Sequence, residues 1–395
     1  MRVVMLRSAG YTGWARFALI GNDLAAVPGA GGLSLVDLDD TTRELARIDD
    51  AAAAAYQHDQ VVTAGRDGTL RVFRRDRGWT EHIAWQLPES LRGATHAFPT
   101  RLALSPSGRY LLVHTDHAHL IDLADRSLRR TLELCGPAFG HASFTAGPRG
   151  EELLFIAAKS YMAVQLVDCT TGKTLQDFAP RDGWDFCHTT FELSPDGTRL
   201  FCFGCTWAAP YSARIYDSGP WFAGTAKPEG RFALPIVFQQ SEGEMHHLGD
   251  VLPMRATPGA DGLASCVTTV DLQEVPPPGS EDDVEWRASD GADEQRLLTD
   301  LQALGSAVRF AIVIRRIDPR TGALVDWFVH LDEPTEEANL HLLPNHRVLI
   351  ANRRIRVVDA ARRVVEDLGR IDLEATAQFE SRVTNDLATM VVVVR

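Results

Sequence analysis

The chain has 395 residues, 45% hydrophobic and 24% charged, which is typical of a folded globular protein with a large core. Its formal net charge of −13 argues against nucleic acid or an anionic membrane as the main partner, because both favour a basic face. It contains no membrane-spanning apolar run, no signal-peptide pattern and no disulfide framework among its six cysteines. We therefore expect a reduced, cytoplasmic protein.

The predicted elements form an internal repeat of strand, tight turn, strand, short loop, strand ending in Asp, turn and strand. Turn sequences such as Ser-Pro-Ser-Gly (105–108) and Ser-Pro-Asp-Gly (194–197) combine a fixed proline φ with a glycine that accepts positive φ. Short apolar runs between the turns indicate buried strands. In chain order the copies cover 16–48, 54–87, 101–134, 143–178, 190–221, an interrupted copy over 236–330, and 339–368.

Four-stranded units of about 40–45 residues are typical of propeller blades. The segments "LSPSGRYLLV", "LSPDGTRLF" and "VDCTTGKTL" resemble the repeats of bacterial β-propellers of the WD40/YVTN type, in the quinoprotein amine dehydrogenase beta-chain-like superfamily. The sequence lacks the repeated Gly-His and Trp-Asp dipeptides of strict WD40 repeats. The resemblance implies an all-β fold, a single β-propeller domain over 1–395.

We predict seven blades, with eight as the alternative that the strand count allows. The strand–turn–strand pair at 376–395 is expected to pair with N-terminal strands and close the ring. A long insertion at 257–310 includes a Pro-rich acidic loop and a short helix near 292–304. Long loops inside compact domains are usually functional or disordered, so this insertion is either a lid or a solvated surface loop.

Folding each hairpin about its turn predicts where the histidines gather. His188 is expected opposite Cys205, with Cys187 and Trp207 beside them, and His96 opposite His119. Further histidines at the same end, the mouth of the propeller channel, are His117, His141, His246 and His247. His58 and His346 fall on turns at the other end and are expected on the surface.

Clustered imidazoles suit either a site for one divalent transition metal or general acid/base catalysis. Single histidines of this kind more often bind loop backbone. Cys202 and Cys205 resemble a Cys-x-x-Cys motif, but residues three apart in a strand point to opposite faces and no second pair exists. No dinucleotide or phosphate loop is present, so no nucleotide cofactor is expected.

Three functions remain open. The first is a small-molecule enzyme with its site at the channel mouth and hydrolase, lyase or isomerase chemistry. Bacterial propellers that this sequence resembles include lactonases, lyases and amine dehydrogenase subunits. The fold therefore does not determine the reaction. The second is a scaffold that binds protein partners on a rim, and the third is a cofactor-free subunit of an oxidoreductase. For the first, the predicted metal ligands or acid/base groups are His96, His117, His141, His188 and His247, with His141, His188 and His247 as catalytic groups. The predicted substrate contacts are Trp207, Lys159, Tyr161, Arg66 and Arg353.

Overall fold

Eight β-sheets make up most of the computed structural model. The residues it describes are 2–7, 18–19, 23–29, 31–57, 59–91, 101–133, 142–147, 149–157, 164–178, 186–206, 211–219, 236–241, 252, 254–255, 259–284, 292–304, 310–332, 339–352, 354–370, 379–383 and 389–394. The chain divides into two compact units, one of Met1–Ala179 with Asp372–Arg395 and one of Pro180–Ile371.

The first unit contains four antiparallel blades of four strands each, in sequential order. Blade 1 has β2 (Ala18–Leu19), β3 (Leu24–Gly29), β4 (Gly32–Asp37) and β5 (Glu44–Asp49). Blade 2 has β6 (Ala51–Gln57), β7 (Gln60–Gly65), β8 (Thr69–Arg74) and β9 (Thr80–Gln86), with 3-10 turns at Arg75–Arg77 and Glu89–Leu91. Blade 3 has β10 (Arg101–Leu104), β11 (Tyr110–His114), β12 (His117–Asp122) and β13 (Ser127–Glu133). Blade 4 has β14 (Ala142–Ala146), β15 (Glu152–Ala157), β16 (Val164–Asp168) and β17 (Thr174–Phe178).

The second unit contains blades 5 to 7. Blade 5 has β18 (Phe186–Leu193), β19 (Arg199–Thr206), β20 (Tyr211–Asp217) and β21 (Ile236–Ser241). Blade 6 has β22 (Ala264–Asp271), β23 (Phe310–Ile317) and β24 (Leu324–Asp332). Blade 7 has β25 (Asn339–Leu343), β26 (Arg347–Ala351), β27 (Arg354–Asp359) and β28 (Val364–Arg370). In blade 6 the Leu252 N–H donates to the oxygen of Val267 on β22 at 2.9 Å. Leu252 therefore lies beside β22, in the position that the first strand has in the other blades.

The propeller prediction is confirmed by seven antiparallel sheets that follow the repeat. The chain ends form one further sheet: β29 (Phe379–Val383) pairs antiparallel with β30 (Thr389–Val394), and β30 pairs parallel with β1 (Arg2–Arg7). The described residues thus contain seven blades and this mixed terminal sheet. The strands of the terminal sheet are the ones that made eight blades the alternative in the sequence analysis. Single-domain organisation over 1–395 stays a prediction.

Two repeat boundaries were wrong, both around blade 5. The copy predicted to end at 221 has its fourth strand only at Ile236–Ser241, and the interrupted copy therefore begins after this strand. The reason is that the connection after β20 is much longer than the short turn expected from the other copies. The remaining copies coincide with the blades within a few residues.

Each blade buries apolar side chains on both faces of its second and third strands, as the sequence predicts for stacked sheets. Leu111, Leu112 and Val113 of β11 are all fully buried, in clusters shared with blade 2 on one face and with blade 4 on the other. In the second unit, Val267 and Ile314 of blade 6 pack with Ile350 of blade 7. Stacking of neighbouring blades therefore provides the core.

The insertion carries an amphipathic helix, α1 (Ala292–Leu304), which confirms the predicted helix. Leu297, Leu298 and Leu301 form one buried stripe against Val313 and other apolar residues of blade 6. Trp327 of β24 donates its indole N–H to the Asp300 carboxylate at 2.9 Å. The helix thus packs on the face of its own blade. The predicted insertion 257–310 also contains β22, a strand of blade 6, and a lid role for this segment stays a prediction. No helix among the described residues is long and apolar enough to cross a membrane.

A β-bulge recurs where the fourth strand pairs with the third. In blades 1 to 6 the register shifts by one residue at the same place, just before the end of the third strand. Such bulges increase local twist and are retained as designed features. The extra residues are Leu45, His82, Arg129, Leu175, Val237 and Val325.

Glycines in the turns between third and fourth strands pack on these bulges. Gly322 of blade 6 has φ +75, and a Cβ there would lie 1.9 Å from the backbone oxygen of Val237, the bulged residue of blade 5. Gly172 of blade 4 has φ +68 and meets the oxygen of Arg129, the bulged residue of blade 3, at 2.5 Å. Only glycine combines this backbone conformation with so close an approach. The turn and the bulge of adjacent blades are therefore matched in shape.

Candidate functional site

The upper end of a blade is defined here as the end that carries the turn between its second and third strands. In the first unit these turns contact the connections between blades. The Arg66 N–H donates to the Asp50 oxygen at 3.1 Å, and the Leu87 N–H donates to the Gly68 oxygen at 3.0 Å. The turns and the inter-blade connections thus share one end, as the hairpin analysis predicts. The lower end carries the other two turns of each blade.

Blade 3 carries a histidine-rich turn at its upper end. His114 ends β11, and His117 begins β12 with an exposed side chain. His119, two residues further, is buried, and its ring centroid lies 6.3 Å from that of His117. The sequence "HTDHAH" therefore places one exposed and one buried imidazole side by side on the same strand.

Two threonine hydroxyls bracket the His119 ring. Its Nε2 lies 3.1 Å from Thr115 Oγ1, and its Nδ1 lies 3.1 Å from Thr131 Oγ1 on β13. Burial, reinforced by the nearby His117, lowers the pKa of His119 to about 4. His119 is therefore neutral at physiological pH and has both ring nitrogens in hydrogen bonds, so it does not fit a metal ligand.

Thr115 connects this buried imidazole to the turn. Its hydroxyl lies 3.3 Å from the Leu91 carbonyl oxygen, on the connection from blade 2, and accepts from the His117 N–H at 3.4 Å. The Thr115 N–H also donates to the His117 oxygen at 2.8 Å. These contacts hold the backbone of His117 while leaving its ring exposed to solvent. The arrangement is suited to presenting a proton donor or acceptor.

The structure corrects two predicted partners. His119 lies on the third strand, opposite Val113 and Thr131, and not opposite His96, because β11 already ends at His114. His188 lies opposite Gly204, while Cys187 lies opposite Cys205. A bulge between His188 and Thr190 causes this one-residue difference.

The other predicted site residues divide between described and undescribed positions. Arg66 is exposed on the upper turn of blade 2. Outside the described residues lie His96, His141, His247, Trp207, Lys159, Tyr161 and Arg353, together with His58 and His246. Within the described residues no group of three His, Cys, Asp or Glu side chains could hold a metal ion. The metal set stays a prediction, and so do the roles of all these residues.

The expectation that His346 lies on the surface was wrong. His346, on the lower turn between β25 and β26, is buried with 3% of its surface exposed. Its Nδ1 lies 2.7 Å from Ser265 Oγ, and its Nε2 lies 2.8 Å and 3.0 Å from the two carboxylate oxygens of Asp261. The turn of blade 7 packs against the turn and second strand of blade 6, which the local sequence does not reveal.

This Ser–His–Asp chain has the residue types of a catalytic triad but the opposite burial gradient. In a triad the serine faces the substrate and the carboxylate is buried. Here Ser265 is buried and the Asp261 side chain is 37% exposed, with Arg316 contacting its carboxylate at 3.1 Å. Burial raises the pKa of Asp261, but the hydrogen bonds from the His346 ring and the Leu263 N–H outweigh it, so that the pKa is lowered. We interpret the chain as a contact between blades.

Sequence reasoning missed a recurring polar position on the third strands. It lies three residues before the last residue of the third strand, which is Arg74 in blade 2 and Asp in the other blades except blade 6. In blade 6 it lies three residues before Asp318, which directly follows β23. The side chain is buried in blades 3 to 6; Arg315, for example, is 1% exposed and donates to Thr268 Oγ1 at 2.9 Å. Alignment of the repeats on their closing Asp could have revealed it. The seven residues are Ser34, Arg71, His119, Gln165, Arg214, Arg315 and Arg356.

Comparisons with known proteins find structural but not sequence relatives. No family model and no curated protein sequence matches the chain. Dihydro-heme d1 dehydrogenase NirN in complex with DHE aligns with a TM-score of 0.52 and 16% identity, over 97% of this chain and 70% of that one. The β-propeller domain of Cps50 (Swd1) from Myceliophteria thermophila aligns with a TM-score of 0.45 and 11% identity, over 85% and 91%.

A third similar structure is hydrazine synthase from Kuenenia stuttgartiensis, with a TM-score of 0.43 and 13% identity over 78% of this chain and 76% of that one. Of these structures, the Cps50 (Swd1) one is described as a β-propeller domain. Identities this low establish only the fold. The chain is thus a β-propeller whose function must be argued from its own residues.

Proposed function

We propose that this protein is an enzyme acting on a small molecule, with its site at the upper ends of the blades, where the resemblance places the mouth of the propeller channel. The chemistry is acid/base or metal-assisted lyase, isomerase or hydrolase chemistry. The observation that supports the proposal is the exposed His117 on a turn that the buried, neutral His119 holds in place. Imidazole is the side chain that most often transfers protons in catalysis.

The predicted partners complete the site in this proposal. These predicted partners are His96, His141, His188 and His247. In the metal-assisted version these four imidazoles and His117 supply the ligands, and a bound divalent transition metal would polarise a substrate oxygen or activate water. Arg66, Lys159, Tyr161, Trp207 and Arg353 would contact the substrate.

The test combines metal content with turnover. Protein purified without a His tag is analysed by elemental mass spectrometry beside a His141→Ala/His188→Ala double variant. A near-stoichiometric metal that the double variant loses supports the metal version. Absence of metal from both refutes that version and leaves acid/base chemistry.

Turnover is tested on panels of lactones, esters and lyase or isomerase substrates. The variant is His117→Gln, and the matched control is His82→Gln, since His82 is the half-buried bulged residue of β9. We expect His117→Gln to lose about 10²–10⁴-fold in rate, the usual contribution of a general acid or base. Equal activity of the variant and its control would refute the role of His117.

A second candidate function is a scaffold for protein partners. It is supported by exposed apolar side chains on the fourth strands, among them Leu175 at 49%, Val325 at 53% and Val364 at 52%. Scattered apolar residues are common on surfaces, so this observation is the weaker one. A scaffold predicts no turnover on any panel and a larger complex in native extract that a Val325→Lys/Val364→Lys variant loses.

A further inference from the structure

Two cysteines of blade 5 are direct register partners. Cys187 on β18 lies opposite Cys205 on β19 in the antiparallel pair. Opposite residues of such a pair share one face of the sheet and have Cα atoms about 4.5–5.5 Å apart. A disulfide needs a Cα separation of about 4.4–6.8 Å. The backbone register therefore satisfies the distance requirement of a disulfide.

The bulge at His188–Thr190 creates this pairing. From Thr190 to Leu193 the register continues regularly from the turn, and the same register carried further would place His188 opposite Cys205. The extra residue, Thr189, shifts the strand so that Cys187 takes that place. Bulges are retained as structural features, and here the bulge converts a Cys–His pair into a Cys–Cys pair.

The other described cysteines are buried, and burial prevents their thiols from taking part in disulfide exchange. Cys169, Cys202 and Cys266 are each at most 2% exposed, as part of the blade cores. Burial raises the pKa of all three thiols, that of Cys266 to about 11. The thiolate is the reactive form, so these three are inert. Cys202 is also three residues from Cys205 on one strand, hence on the opposite face.

We infer that Cys187 and Cys205 form a reversible cross-strand disulfide by exchange with a small-molecule disulfide such as oxidised glutathione. One cysteine thiolate attacks a sulfur of glutathione disulfide and releases one glutathione thiolate, which takes up a proton. The second cysteine thiolate then attacks the protein sulfur of the mixed disulfide and releases the other glutathione. Two protein thiols are oxidised, one glutathione disulfide is reduced, and two electrons are transferred.

The bond would tie the first two strands of blade 5 at its upper end. It lies at the start of β18, beyond the bulge, and next to the turn from β19 to β20. Strand ends are the parts of a sheet that open most readily. The disulfide therefore acts as a redox-controlled brace on this end of the blade, independently of the reaction proposed above.

The experiment uses the full chain, reduced with dithiothreitol, desalted and incubated with oxidised glutathione. Free thiols are then alkylated with N-ethylmaleimide in denaturant near neutral pH. Relative to the reduced protein treated in the same way, we expect a mass lower by about 252 Da for one disulfide, because two maleimide groups of about 125 Da each and two hydrogens are missing. Trypsin cleavage after Arg181, Arg199 and Arg214 should give linked peptides 182–199 and 200–214, and fragmentation between Cys202 and Cys205 locates the bond.

Three variants separate the outcomes. Cys187→Ser and Cys205→Ser should not form the bond, whereas Cys135→Ser, outside the described residues, should form it as the wild type does. Oxidation should raise the melting temperature of the wild type and leave that of Cys187→Ser unchanged. Linkage through Cys135 or Cys202, separate glutathione adducts on both cysteines, or two free thiols in folded protein with excess glutathione disulfide would each overturn the inference.

Discussion

Replacement of Gly322 by alanine tests whether the turn of blade 6 is fitted to the bulge of blade 5. The added Cβ would lie 1.9 Å from the Val237 oxygen and 2.9 Å from its carbonyl carbon, so two backbone segments must separate. The matched control is Gly262→Ala in the lower turn of the same blade. Gly262 has φ +78, close to the +75 of Gly322, but a Cβ there meets nothing within 4 Å.

Both variants place a Cβ in the left-handed region, which costs about 1–2 kcal/mol. Gly322→Ala adds a steric cost of about 1–3 kcal/mol, typical of overpacking where the surroundings resist movement. We therefore expect unfolding free energies lowered by about 1–2 kcal/mol for Gly262→Ala and about 2–5 kcal/mol for Gly322→Ala.

Urea denaturation monitored by tryptophan fluorescence and circular dichroism measures the difference. A third protein, Gly322→Ala with Val237→Ala, should not recover stability, because the nearest contacted atom is a backbone oxygen. If Gly262→Ala and Gly322→Ala lower the free energy of unfolding equally, the turn–bulge contact contributes nothing to stability and the reasoning is refuted. Full rescue by Val237→Ala would show that the side chain, and not the backbone, sets the fit.

Further predictions concern three polar centres. Since His119 titrates near pH 4 when folded and near 6.5 when unfolded, stability should fall as the pH drops across that window, by at most about 3 kcal/mol, and His119→Gln should remove this slope in urea titrations. Asp122 is fully buried and bound by two arginines, so Asp122→Asn should cost about 2–4 kcal/mol in thermal unfolding, against less than about 1 for exposed Asp125→Asn. His346→Asn keeps a residue that accepts φ +59 but loses the contact with Asp261, and differential scanning calorimetry should show a loss of about 1–3 kcal/mol.

The turn chemistry made the blades predictable. Gly108 and Gly197 have φ +74 and +72, and their N–H groups donate to the oxygens of Ser105 and Ser194, both at 2.8 Å. These features depend only on four consecutive residues, so the sequence contains the whole physical cause. The strand registers predicted from these turns are correct up to the first β-bulge, as in blade 5 between Leu193 and Thr190.

The missed features depend on neighbouring blades. Nothing in the sequence around His346 indicates that its ring meets Ser265 and Asp261, about 80 residues earlier in the chain. The bulges are also missed, because a one-residue shift in strand pairing has no local sequence signature. The candidate site was therefore predictable as a turn rich in histidine, but the division into exposed His117 and buried His119 was not.

The recurrent bulge also affects how the protein avoids self-association. A fourth strand is the free edge of its blade, and a straight apolar edge invites another chain to add a strand. Leu175 and Val325, two of the most exposed large apolar residues, are themselves bulged residues. At each of them the ladder is out of step by one residue, so an incoming strand could not continue its hydrogen bonds along the edge. The β-bulge, which in blades 3 and 5 also contacts a turn glycine of the next blade, thus works against aggregation.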